Sequence, residues 1–184
     1  MNYLEIKKYD IANGPGVRTT LFVSGCTHHC KGCFNPESWD FKAGIEFTDV
    51  VIEEIIEDLK PDYIKGLTLL GGEPFEPANQ KALLPLVKRV KEVYPEKDIW
   101  AFSGYLFDKQ IMDVMASKYD FTKEFISYID VLVDGEFHEE EKDLSIVYRG
   151  SRNQRIVDVK KSLLSNEVVL HEKDAVRLGE YNNG

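Results

Sequence analysis

The sequence predicts an α/β fold, because short apolar strands alternate with amphipathic helical stretches and because four polar or glycine-rich motifs each follow a strand. Strands separated by helices pair in parallel through right-handed connections. Parallel sheets and barrels bind ligands at the carboxyl ends of their strands, so the four motifs are expected to converge on one site. With 184 residues and no compositional break, the chain reads as one domain over 1–184. That length buries a sizeable core but falls short of the about 250 residues of a full eight-unit barrel.

Tyr3 to Tyr9 has the pattern of a first strand, and Arg18 to Val23 that of a buried strand running into a cysteine loop. Thr48 is placed to cap a helix reaching about Lys60, with Ile52, Ile55, Ile56 and Leu59 on one face and Pro61 as the stop. Gly66 to Leu70 is a second strand of the parallel set, entering Gly71-Gly72-Glu73-Pro74. Asn79 to Tyr94 carries Leu83, Leu84, Val87 and Val90 at helical spacing, and Pro85 bears on where that helix starts or bends. Asp98 to Phe102 is a third strand, ending at Ser103-Gly104-Tyr105, and Asp108 to Ala116 is helical. Tyr128 to Val133 is a fourth strand leading into Asp134-Gly135-Glu136-Phe137. Glu139 to Asp143 reads as a solvated acidic loop and Arg155 to Val159 as a last strand. The tail from Lys160 has no assigned element and is expected to fray at Asn182-Asn183-Gly184.

Charge and hydropathy narrow the function classes. A formal net charge of −9 argues against a general nucleic-acid binder, leaving Lys7, Lys8, Arg18 and Lys31 as the one candidate basic patch. No apolar run approaches the roughly 18 residues of a membrane span, and the N-terminus lacks a signal-peptide pattern. A cytoplasmic protein without a membrane partner is expected. Its three cysteines all lie in Gly25-Cys26-Thr27-His28-His29-Cys30-Lys31-Gly32-Cys33. An odd number in one motif makes no disulfide framework, and a reducing compartment suits thiolate ligands.

Positions 26, 30 and 33 would share one helix face, but Gly25, Gly32 and the polar residues between oppose a helix. Structural zinc with His28 or His29 as fourth ligand is a second reading, although no second ligand cluster accompanies the first. The third is an iron-sulfur cube held by three cysteines in place of the usual four, which leaves one iron open to a small molecule.

This CxxxCxxC spacing resembles the hallmark of the radical S-adenosylmethionine superfamily. The resemblance implies a [4Fe-4S] cluster on Cys26, Cys30 and Cys33, with S-adenosylmethionine chelating the open iron. One-electron reduction then yields methionine and a 5'-deoxyadenosyl radical. Gly71-Gly72-Glu73-Pro74 is similar to the superfamily's GGEP motif, which implies S-adenosylmethionine contacts for Gly71, Gly72 and Glu73. Ser103, at a strand end, is a further candidate contact. Within the superfamily the chain resembles the glycyl-radical-enzyme activases through Asn13-Gly14-Pro15-Gly16, Cys30-Lys31-Gly32-Cys33-Phe34-Asn35, Val131 to Phe137 and Arg149 to Arg155. Asn13 stands where those proteins usually carry an acidic residue. Gly32 and Phe34 are implied beside the cluster, Phe34 flanking the adenine, while Asp134, Arg149, Asn153 and Arg155 are candidates for cofactor or partner contact.

The fold so implied is a partial parallel β/α barrel whose open side admits a macromolecule. The implied protein substrate is the large subunit of an anaerobic ribonucleoside-triphosphate reductase, activated by hydrogen abstraction from a glycine near its C-terminus. Glycine lacks a side chain, so its Cα can approach the radical closely. A donor such as flavodoxin would supply the electron. A pyruvate formate-lyase type substrate and a zinc-stabilised binding module are the alternatives.

Overall fold

A computed structural model describes residues 1–174 of the chain. One seven-stranded sheet runs through them in the order β3-β1-β2-β4-β5-β6-β7. Its strands are β1 Asn2–Asp10, β2 Val17–Val23, β3 Ile45–Glu46, β4 Ile64–Gly71, β5 Asp98–Ser103, β6 Val131–Asp134 and β7 Arg155–Asp158. The central four, β2, β4, β5 and β6, are parallel. β1, β3 and β7 are antiparallel to their neighbours, so the sheet is mixed where the alternation of elements predicts parallel pairing throughout. For β1 and β2 the reason lies in the connection: residues 11–16 are too few for a crossover, and a short link permits only antiparallel pairing. With its flanking helices, the sheet is an incomplete β/α barrel of the expected type.

Each of the two faces of the sheet has its own apolar set, as the period of two dictates. Leu21, Val23, Leu67, Leu69, Ile99, Ala101, Leu132 and Val157 pack against the helices α1 Asp49–Asp58, α2 Pro77–Val93 and α4 Asp120–Tyr128. Trp100, Val131, Val133 and Ile156 form a smaller cluster on the opposite, concave face. α2 continues through Pro85, which lies on the exposed side, where water replaces the hydrogen bond that proline cannot donate.

Three stretches differ from expectation. The helix expected over Asp108 to Ala116 is a π-helix, Phe107–Met115, continued by α3 Ala116–Lys118. α4 occupies residues left unassigned by sequence, and Tyr128 ends it instead of starting β6. The tail forms α5 Val159–Ser165, after which residues 169–171 return to the edge of β7: the amide of Asp158 donates to Val169 O and that of His171 to Ile156 O, both at 2.8 Å. The fraying expected for Asn182–Gly184 lies outside the described residues.

The candidate basic patch does not form. Arg18 is buried on the concave face, where Nε donates to Thr68 Oγ1 (2.7 Å), Nη2 donates to Leu67 O (2.9 Å) and pairs with Asp98, and Trp100 lies 5.7 Å away. Lys8 pairs with Asp58 and Lys31 with Glu139. Among the described residues no helix is long and apolar enough to cross a membrane.

Asp174 supplies a second buried charge. It accepts from Arg149 Nη1 at 2.7 Å and from the amide of Ile156 at 2.7 Å, and neither side chain of the pair is exposed. Removing one member of such a pair strands the other in a medium that cannot solvate it. Asp174→Ala is therefore expected to cost about 3–5 kcal/mol, read as a lower urea midpoint of the iron-free protein. An unchanged midpoint would show that the pair contributes nothing net.

Candidate active site

Four loops at the carboxyl ends of β2, β4, β5 and β6 meet at one cavity of about 150 Å³. Its walls include Cys26, Cys30 and Cys33, with Gly71, Gly72 and Glu73 from the second loop, Ser103 and Gly104 from the third, and Gly135 and Phe137 from the fourth. The convergence predicted from strand order is thus present. Phe34, Phe102, Phe137 and Leu70 make one wall apolar, and the same residues also face an adjoining cavity of about 400 Å³ along the concave face. The first space alone is below the roughly 300–1,000 Å³ of ligand pockets, and with its neighbour it falls within that range.

The cysteine loop is held by protein bonds on both sides. The amide of Gly25 donates to Ser38 O at 2.7 Å and that of Cys26 to Trp39 O at 3.2 Å. On the other side, Gly72 N donates to Val23 O at 2.7 Å and Glu73 N to Gly25 O at 2.8 Å. This backbone-to-backbone approach explains the two glycines. A Cβ on Gly72 would stand 2.6 Å from Gly25 O, and one on Gly71 would stand 2.8 Å from Val23 O at a φ of +106°.

Two side chains of α2 and the turn before it complete the clamp, and neither is singled out by the sequence motifs. Asn79 Nδ2 donates to Ser24 O (3.0 Å) and Glu73 O (2.9 Å), and Glu76 Oε1 accepts from the amide and hydroxyl of Thr27 at 2.9 and 2.6 Å. The signal for Asn79 is its position: it stands four residues before Leu83 and eight before Val87, a polar residue on the apolar stripe.

Glu73 is buried and occupied. Its Oε1 accepts from Phe75 N and Ser103 Oγ, each at 2.8 Å, and Oε2 accepts from Gly104 N at 2.7 Å. Ser103 Oγ also accepts from Tyr105 N, so this hydroxyl is spent on positioning Glu73 and the third loop. His28 lies against the same carboxylate. Its Nε2 is 3.2 Å from Glu73 Oε2, close enough for charge attraction though not aligned as a hydrogen bond, while Nδ1 meets Glu136 Oε1 at 2.8 Å. Burial opposes the charge on His28, but the two carboxylates outweigh it and raise the imidazole to about 9.

Two of the thiols, Cys26 and Cys30, shift upward as well. Burial, with the Glu73 charge behind it, pushes Cys26 up to about 11, and burial raises Cys30, with Glu136 adding to it. Free, these two thiols hold their protons at neutral pH, and metal must displace them. Both nitrogens of His28 face carboxylates and the ring of His29 stacks on Trp39, so neither supplies the fourth ligand of the zinc reading. Among the described residues, no three or more His, Cys, Asp or Glu side chains converge on the position of a single ion. Three half-buried thiols around a cavity fit a cluster that takes one thiolate per iron, with room for a ligand on the fourth.

The remaining candidates surround this centre. Phe34 is 56% exposed, 5.1 Å from Phe137 and beneath Lys142 Nζ, and it borders both cavities. Gly32 packs beside Glu139, which pairs with Lys31 at 3.0 Å. The run Glu139 to Asp143, read as a solvated loop, begins with a 3-10 helix, Glu139–Glu141, closing over the cysteine loop. Asp134 accepts from Phe107 N at 2.7 Å and pairs with Arg155, which also reaches Asp108. The hydrogen bond that Arg155 donates to Asp134, with the one it donates to Asp108, holds its guanidinium above the usual range despite burial. Asn153 Nδ2 and Gln154 Nε2 donate to Glu136 O (2.7 Å) and Gly135 O (2.9 Å). Residues 149–155 thereby form a strap fastened to the fourth loop.

Comparison with known proteins agrees with this geometry. Residues 12–157 match the family model described as a 4Fe-4S single cluster domain. The chain is 51% identical over 158 residues to the anaerobic ribonucleoside-triphosphate reductase-activating protein of Haemophilus influenzae, covering 85% of this chain and 97% of that one. It is 43% identical to the Escherichia coli K12 protein of that name over 84% of this chain and 96% of the relative. The corresponding figures for the protein of bacteriophage T4 are 42%, 85% and 93%.

Proposed function

Because the chain carries a 4Fe-4S single cluster domain and belongs to the family of anaerobic ribonucleoside-triphosphate reductase-activating proteins, we propose that it activates such a reductase by making a glycyl radical on the large subunit. The observation that carries this reading is the placement of all three thiols in one cavity with the Gly71-Gly72-Glu73 loop. Cys26, Cys30 and Cys33 would hold a [4Fe-4S] cluster, which with S-adenosylmethionine bound supplies a 5'-deoxyadenosyl radical able to take a hydrogen atom from glycine Cα.

The chain's own residues do the positioning. The backbone of Gly71 and Gly72, pinned to the cysteine loop, fixes the cofactor's place relative to the cluster, and small displacements at a reacting centre are costly. Glu73 and Ser103 lock the second and third loops together, and His28 ties the cysteine loop to both Glu73 and Glu136. Phe34, Phe102 and Phe137 keep water from the reacting carbon. Gly32 leaves the cluster's flank open beside Glu139.

The adjoining cavity is the place for the reductase segment that bears the glycine. Lys7 and Tyr148 line it and, among the described residues, no carboxylate does, so it presents donors to the carbonyl oxygens of an extended chain. The whole chain, 1–184, acts as one activase domain in the cytoplasm. It draws its electron from a donor such as flavodoxin and uses no nucleic-acid or membrane partner.

The test is electron paramagnetic resonance of anaerobically reconstituted, reduced protein with and without S-adenosylmethionine, followed by mixing with the reductase. A four-iron signal that changes shape on adding the cofactor is expected, then a glycyl radical doublet on the reductase and none on pyruvate formate-lyase. A doublet on the lyase alone would reassign the substrate, and retained zinc without a cluster would overturn the reading.

A further inference from the structure

Trp39 presents a buried donor without an acceptor beside the three cysteines. Its ring lines the cavity, yet its Nε1 is shielded from solvent and has no hydrogen-bond partner among the described residues. Such an atom in a native fold calls for an explanation, since a buried N–H without a partner is costly. Its position is not accidental slack. The backbone of Trp39 accepts from the amide of Cys26, Ser38 Oγ donates to Asn35 O at 2.6 Å beneath it, and the ring of His29 stacks on the indole at 4.5 Å and 23°. His29 adopts a φ of +51°, a conformation uncommon for residues other than glycine.

Three side-chain acceptors in the cavity wall are already taken. Glu73 already receives three donors and faces His28, Ser103 Oγ is committed to Glu73 and Tyr105, and Gln154 Oε1 accepts from the amides of Gly150 and Ser151. What an occupied cavity adds is sulfur. From this geometry we infer that Trp39 Nε1–H donates a hydrogen bond to a sulfur of the cluster held by Cys26, Cys30 and Cys33. Hydrogen bonds to cluster sulfurs favour the reduced, more electron-rich form and so raise the reduction potential. Trp39 is in this account a positioning residue that makes the cluster easier to reduce by an external donor. The inference rests on the cluster assignment above.

The test is a redox titration of reconstituted protein, wild type against Trp39→Phe, followed by electron paramagnetic resonance without S-adenosylmethionine. Iron and sulfide content are expected to be equal. At the potential that half-reduces the wild type, the reduced-to-oxidised ratio of the variant is expected to fall roughly tenfold, as for a lost bond to a charged acceptor. An exchangeable proton coupled to the wild-type cluster should also vanish from the hyperfine spectrum. Where the phenylalanine variant fails to hold iron, the isostere β-(3-benzothienyl)alanine at residue 39 replaces N–H by sulfur at constant shape and decides the matter by the same readouts. An unchanged ratio at full iron content overturns the inference, as does a shift that arises only with S-adenosylmethionine present. A wild type lacking the four-iron signal would remove the cluster assignment itself, an outcome distinct from either.

Discussion

Cys30→Ala is expected to yield a folded protein without its cluster. Cys30 is the middle ligand of the three, and its loop is fastened by the backbone bonds of Gly25, Cys26, Gly72 and Glu73, none of which involves its thiol. The variant should therefore keep the circular dichroism and urea midpoint of the iron-free wild type. Iron and acid-labile sulfide should fall to background after reconstitution, because two thiolates leave half the cube unsupported. Glycyl radical formation on the reductase should be lost, well beyond the roughly 10–100-fold that removal of an outer-shell partner costs a metal site. A full complement of iron on the variant would mean that Cys30 is not a ligand, and the site would have to be redrawn.

Glu73→Gln is expected to weaken the fold and the cofactor site together while sparing the cluster ligands. The carboxylate accepts from Phe75 N, Ser103 Oγ and Gly104 N and faces His28, so every neighbour presents a donor or a positive charge. Glutamine has one oxygen to offer, and its amide nitrogen must then point at a donor. A hydrogen bond to a charged group contributes about 1.5–3 kcal/mol, and a buried donor left without a partner costs about 1–3 kcal/mol. The sum expected is a loss of about 3 kcal/mol or more, seen as a lower urea midpoint. Iron content should remain within a factor of about two of wild type, since outer-shell changes perturb a metal site without abolishing it. The change in the cluster signal on adding S-adenosylmethionine should require a higher cofactor concentration. A variant as stable as wild type would show that the three bonds contribute little and that the loops are held by their backbone contacts alone.

Much of this site is legible in the sequence because its parts are local. The runs Arg18 to Val23, Gly66 to Leu70 and Asp98 to Phe102 finish in apolar residues (Leu21 to Val23, Leu69-Leu70, Ile99 to Phe102), and each ends at the motif that lines the cavity. The cysteine spacing and the Gly-Gly pair are read directly. What is not legible depends on contacts between distant segments. Arg18 has the composition of a surface patch residue and becomes a buried plug only through Thr68 and Asp98, far along the chain. Asp134, Arg149 and Arg155 look like ligand contacts by their chemistry, and the fold uses them to join β6, β7 and the strap. α4 escapes notice because Thr122, Phe125 and Ile126 give it one short apolar stripe beside aromatic residues that suit strands equally well. Trp39 is silent in the sequence, being six residues beyond the last cysteine and brought back by its backbone bond to Cys26 and its stack with His29.

The double fastening of the cysteine loop bears on how the enzyme withstands damage. In small metal-folded domains binding and folding are one event, so losing the metal destroys the scaffold. Here the loop's conformation is specified by Ser38, Trp39, Val23, Glu76 and Asn79, all independent of iron. Oxidative loss of the cluster would leave an intact mould, with Cys26 and Cys30 protonated by virtue of their raised pKa and so slow to oxidise further. A cell returning from air to anaerobiosis could then refill old molecules in place of synthesising new ones.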